Sequence, residues 1–115
     1  PSEAASLSER ALTLSEIHVR TSPNNTEYIR DYVDALLIRA YSLQNQQRHR
    51  EAIGLLEQGL RRQLDLQRTS PESKRFQREL QETYEAMGDS YLALGEEARA
   101  LEHYEKGRER TVALL

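Results

Sequence analysis

The chain has 115 residues, 37% apolar and 30% charged, and its 16 basic and 19 acidic side chains leave a formal charge of −3. That length makes one small domain with a thin core, and the near-balance of charge excludes a long-range pull on nucleic acid or acidic lipid. The absence of cysteine excludes disulfides, thiolate chemistry and sulfur-bound zinc, and fits a reducing, cytoplasmic compartment.

No apolar run approaches the roughly 20 residues that span a bilayer, and no secretory core segment is visible. No membrane partner is therefore expected within this stretch. The chain opens on Pro1 rather than Met, and it is read as part of a longer protein.

Taken in order, residues 2–19 carry Ala4, Leu7, Ala11 and Leu12 at helical spacing. Ser22 then offers an N-cap and Pro23 a first helical residue whose missing N–H costs nothing. A long helix is predicted to follow, with Ile29, Tyr32, Val33, Leu36, Ala40 and Leu43 on its core face. A break is expected near Gln46-Gln47. The next helix places Ala52, Ile53, Leu56, Gly59 and Leu60 inward. Ser70 and Pro71 repeat the start signal, ahead of Phe76, Leu80, Tyr84, Met87, Tyr91 and Leu94. A second break falls at Gly95. The last helix carries Ala100, Leu101, Tyr104, Gly107 and Val112. Arg30–Asp34 and Arg78–Glu82 stand at i,i+4 and predict exposed ion pairs. Nothing competes for a strand: there is no alternating β-branched run and no Asn-Gly or Asp-Gly turn.

These elements are copies of one another. Arg20-Thr21-Ser22-Pro23 recurs as Arg68-Thr69-Ser70-Pro71, a gapless shift of 48 residues. The same shift aligns Ala40 with Gly88, and across three copies it aligns Ala4, Ala52 and Ala100, then Ala11, Gly59 and Gly107. Small residues at Ala40/Gly88 and Ala52/Ala100 let the two helices of a hairpin approach, while Leu43/Tyr91 and Leu56/Tyr104 fill the space beside them. The organisation is a lone second helix at 2–19, a repeat at 22–67 and a repeat at 70–115.

The run Tyr84-x2-Met87-Gly88-x2-Tyr91-x3-Gly95-x4-Ala100-x3-Tyr104 resembles the tetratricopeptide pattern. Leu36, Arg39, Ala40, Leu43, Gln47, Ala52 and Leu56 match it less well, with Arg39 where the family prefers Leu and Gln47 where it prefers Gly. The period of 48 residues also exceeds the family's usual value of about 34. The resemblance implies an all-α, right-handed antiparallel helix-hairpin solenoid of about five helices. It is similar to the long-repeat variety found in large bacterial proteins, including regions that follow Ser/Thr kinase domains.

No catalytic constellation stands out. The five glycines are isolated, no metal-ligand motif is present, and no serine lies in a nucleophile motif. Neither a cofactor nor an enzymatic role is expected. His103 aligns with Leu7 and Leu55 and is read as partly buried, whereas Tyr41, aligned with Asp89, is placed outside the core.

The resemblance implies a binding wall built from the first helix of each hairpin. Its candidates are Asp34, Leu37, Tyr41 and Asn45, joined by Gln44, and Glu82, Glu85, Asp89 and Leu92, joined by Ala93. The wall is acidic with apolar patches. It lacks the Lys and Arg with which some family members clamp chaperone tails, so the expected partner is a protein or peptide segment with basic and apolar side chains. The competing expectation is assembly, through the half-unit at 2–19 and the apolar end Thr111-Val112-Ala113-Leu114-Leu115. Open solenoid ends predict further repeats or pairing between copies, as in an oligomerisation domain of a multidomain signalling protein such as a Ser/Thr kinase.

Overall fold

The computed structural model describes residues 3–112. They form five helices: α1 Glu3–Thr21, α2 Thr26–Asn45, α3 His49–Thr69, α4 Lys74–Ala93 and α5 Glu97–Val112. Among the described residues there is no strand. Each helix packs mainly on its neighbours in sequence, α1 on α2 and onward to α5. Side chains also join α2 to α4, where Gln44 Nε2 donates to the Ala86 carbonyl at 2.9 Å. The body measures 36 × 35 × 18 Å, and its short dimension is the depth of two helix layers.

The core follows the apolar periodicity. Ala40 and Leu43 of α2 are buried in one cluster with Ala52, Ile53 and Leu56 of α3, and Val33 and Leu36 of α2 are buried as well. Met87 and Tyr91 of α4 join that cluster with Ala100 of α5, and Leu80 and Tyr84 of α4 are also buried. Each large apolar side chain fully removed from water contributes about 1.5–3 kcal/mol, and these positions tie consecutive helices together.

The helix starts differ from the sequence reading. Ser22 and Ser70 do not cap α2 and α4. Each instead opens a turn after the preceding helix, with Asn25 N–H donating to the Ser22 carbonyl at 3.1 Å and Ser73 N–H to the Ser70 carbonyl at 3.0 Å. Pro23 and Pro71 occupy the second position of those turns, where a fixed φ near −65° is as well suited as at a helix start. The caps are Asn25, whose side chain accepts from Tyr28 N–H, and Ser73, whose side chain accepts from Phe76 N–H. The start signal thus ends one helix before it begins the next.

The breaks within the hairpins fall where expected and share one geometry. Gln47 N–H donates to the Gln44 carbonyl at 3.0 Å and Arg48 N–H to the Leu43 carbonyl at 2.8 Å. In the second hairpin Gly95 N–H donates to the Leu92 carbonyl at 3.0 Å and Glu96 N–H to the Tyr91 carbonyl at 2.9 Å. Both are Schellman ends, which require a left-handed residue at the turn. Gly95 supplies it at φ 79°, and Gln47 is forced into it at φ 63°.

Candidate binding wall on α2 and α4

The two first helices leave one face open. On α2, residues 34, 38, 41 and 45 recur at helical spacing and form a stripe that turns away from the neighbouring helices. Asp34, Ile38, Tyr41 and Asn45 are all exposed. On α4 the open face carries Glu82, Glu85, Asp89, Leu92 and Ala93, also exposed.

Two residues assigned to this wall lie elsewhere. Leu37 is half-buried and packs on the core between α2 and α3. Its Cδ2 lies 3.5 Å from where a Cβ on Gly59 would stand. Ile38, 59% exposed, is the apolar residue of the wall instead. The i+4 step from Asp34 to Ile38 is the signal that distinguishes them. Gln44 is likewise engaged, donating to Ser90 Oγ at 2.8 Å as well as to Ala86.

The charges also differ from their predicted pairing. Arg30 does not meet Asp34. It reaches across to Glu79 Oε1 at 3.2 Å and lies over the Phe76 ring at 5.3 Å. Arg75 meets the same oxygen at 3.0 Å. Arg78 and Glu82 make no ion pair either. Among the described residues Asp34, Glu82, Glu85 and Asp89 have no cationic partner within bridging distance.

The environment raises the pKa of several groups. Burial holds the Asp34 carboxyl above its usual range, with Glu79 adding to the effect and Arg30 opposing it. Burial also raises the Tyr41 phenol, and the Glu82 carboxylate raises it further. Asp89 accepts a 2.6 Å hydrogen bond from the Tyr104 hydroxyl. That bond fixes the carboxylate at the α5 edge, and together with burial it pushes Tyr104 up to about 12. Glu85 accepts from Gln81 Nε2 at 3.2 Å.

One serine–histidine contact invites a catalytic reading. His49 Nδ1 lies 3.1 Å from Ser90 Oγ, and a base beside a hydroxyl is how a serine nucleophile is activated. Ser90, however, has no exposed surface and already accepts from Gln44. The other ring nitrogen of His49 faces the Gln47 side-chain oxygen at 3.2 Å, not a carboxylate. The group therefore satisfies buried polar atoms where α2, α3 and α4 meet. His103 is half-buried, as its repeat position predicts, with its ring 4.9 Å from that of Tyr91. No group of three or more metal-ligating side chains gathers among the described residues, and no described helix is long and apolar enough to cross a membrane. Compared with known proteins, the chain matches no family model, no curated protein and no solved structure.

Proposed function

We propose that this chain is a tetratricopeptide-type helical repeat that acts by binding. Its ligand is a protein or peptide segment with basic and apolar side chains, held on the α2–α4 wall. The observation that carries the reading is four exposed carboxylates without cationic partners among the described residues, set beside exposed Ile38, Tyr41 and Leu92. Arg30 and Arg75, which would neutralise such a wall, are committed to Glu79. Rigid side chains such as tyrosine bury contact area at low entropic cost and anchor interfaces. The repeat reading is supported by the 48-residue register and by the two identical Schellman ends. A labelled peptide alternating Lys with Leu tests the proposal. Glu82→Lys combined with Glu85→Lys is expected to weaken its binding about tenfold or more, since reversal turns attraction into repulsion. Equal binding by the variant overturns the reading.

A second reading, pairing between copies through the end helices, has its own support. Leu101 is 59% exposed on α5, whereas Ile53, its repeat equivalent on α3, is covered by α4 and only 7% exposed. At the other end Leu7, Leu14 and Ile17 stand exposed along α1. If these faces pair, sedimentation detects a dimer or larger species that Leu14→Glu with Ile17→Glu dissolves. A monomer at every accessible concentration rules it out.

A further inference from the structure

A groove lined by residues other than those of the α2–α4 wall lies elsewhere on the molecule. It runs between α1 and α3, with Tyr32 of α2 as its floor. Two adjoining cavities of about 280 and 300 Å³ share Tyr32, Gln58 and Arg62. Glu16, Val19 and Arg20 complete the α1 side, and Arg61 and Asp65 the α3 side.

The charges in this groove are unevenly engaged. Asp65 is held by Arg68 at 2.7 Å, and Glu16 lies 3.9 Å from Arg20. Arg61 and Arg62 have no carboxylate within bridging distance among the described residues. The Arg62 guanidinium sits 5.8 Å above the Tyr32 ring, an arrangement that orients a cation while leaving its N–H groups free to donate. The Tyr32 hydroxyl donates to Gln58 Oε1 at 3.3 Å, which leaves the Gln58 amide N–H groups as donors.

The second hairpin is an internal control for this reading. By the 48-residue register Tyr32 becomes Leu80, Gln58 becomes Lys106, Arg61 becomes Glu109 and Arg62 becomes Arg110. There Leu80 is fully buried. Lys106 is bound to Glu102 at 3.1 Å, and Arg110 donates to Gln77 Oε1 at 3.3 Å. At the same register, Leu80 closes the second copy and its Lys and Arg are held by Glu102 and Gln77, whereas in the first copy Tyr32 lines an open groove and Arg61 and Arg62 face solvent. A repeat needs only the closed form to be stable.

We propose that the α1–α3 groove binds an acidic peptide segment, with Arg61 and Arg62 taking its carboxylates and Gln58 donating to its backbone carbonyls. The segment lies across Tyr32 and Val19, and two adjacent guanidiniums on one turn of α3 favour carboxylates spaced along a chain over a single small anion. This surface is separate from the α2–α4 wall, and its ligand has the opposite charge.

A fluorescein-labelled hexaglutamate peptide is the probe, titrated against the whole chain at low salt. Arg61→Glu with Arg62→Glu is expected to weaken binding about tenfold or more. Tyr32→Leu, which installs the residue of the closed copy, is expected to weaken it as well, with the helical melt confirming that the variant is folded. Glu82→Lys with Glu85→Lys should leave hexaglutamate binding no weaker, so failure here is distinguishable from failure of the wall. Retention of full affinity by the Arg61/Arg62 variant overturns the proposal. So does displacement of the peptide by an equal concentration of inorganic phosphate, because the groove is then a simple anion site.

Discussion

The hairpin of α2 and α3 and the hairpin of α4 and α5 occupy the same register with different atoms. In the first, Ala40 and Leu56 are both fully buried in the shared core. In the second, Gly88 and Tyr104 stand at those positions, and a Cβ on Gly88 would lie 2.5 Å from the Tyr104 ring. Volume has moved from one helix to its partner. The larger ring is compensated by removing a methyl group opposite it, which is how close-packed interiors keep their density when sequence changes. The exchange also adds a polar handle, because Tyr104 reaches past the core to Asp89 at 2.6 Å while Leu56 cannot.

The comparison predicts that a position kept small in both hairpins tolerates no exchange. Ala52 and Ala100 are 0% and 2% exposed, and neither has a glycine facing it to take up extra volume. Ala100→Leu is expected to destabilise the fold by about 1–3 kcal/mol through overpacking. Urea denaturation measures it. An unchanged midpoint shows that α4 and α5 are not pressed together at this residue.

A smaller effect tests the exchange itself. Gly88→Ala gains about 1 kcal/mol of helix propensity but drives a methyl into the Tyr104 ring. The net result is expected to be a loss of about 1 kcal/mol, since overpacking costs about 1–3. Adding Tyr104→Leu recreates the Ala40/Leu56 pair and should recover most of that loss. The double-mutant coupling is then positive, as for any contacting pair. Simple additivity would mean that the ring moves aside freely.

What could be read in the sequence divides along physical lines. The helices, their order and the core positions of α2 to α4 were legible because burial imposes a 3.6-residue period and the repeat states it more than once, whereas Leu7, Leu101 and Val112 take the same apolar spacing and stand exposed on the end helices. The small-residue contacts were legible for the same reason. The helix starts were not, because Ser-Pro serves equally as a turn after one helix and as a start for the next, and Asn25 and Ser73 were the caps that won. On the wall, Asp34, Tyr41, Asn45, Glu82, Glu85, Asp89 and Leu92 are exposed as expected. Leu37 is not, because helical spacing alone does not say that α3 packs on that side of α2. Ion-pair choice was illegible. Arg30 has a carboxylate four residues away, yet it turns to Glu79 on another helix. Arg39 stands where the second hairpin has buried Met87, and it reaches Glu9 on α1 at 3.1 Å. Of the predicted apolar end at 111–115, Thr111 and Val112 are exposed on α5, and residues 113–115 lie outside the described residues.

The smallest expected effect lies at the two breaks, where the backbone is the same and only the residue differs. A left-handed conformation costs a non-glycine residue about 1–2 kcal/mol, while glycine adopts it freely. Gln47 bears that cost at φ 63°, and Gly95 avoids it at φ 79°. Glycine also loses more entropy on folding, so part of the gain at Gln47 is returned. Gln47→Gly is therefore expected to stabilise by about 0.5–1 kcal/mol, and Gly95→Gln to destabilise by about 1 kcal/mol. Nothing lies within 4 Å of a Cβ on Gly95, so the second substitution reports backbone strain without a steric contribution. Gln47 has one further tie, its side-chain oxygen 3.2 Å from His49 Nε2. If Gln47→Gly fails to stabilise while Gly95→Gln destabilises as expected, that hydrogen bond is what keeps a glutamine in a glycine's place.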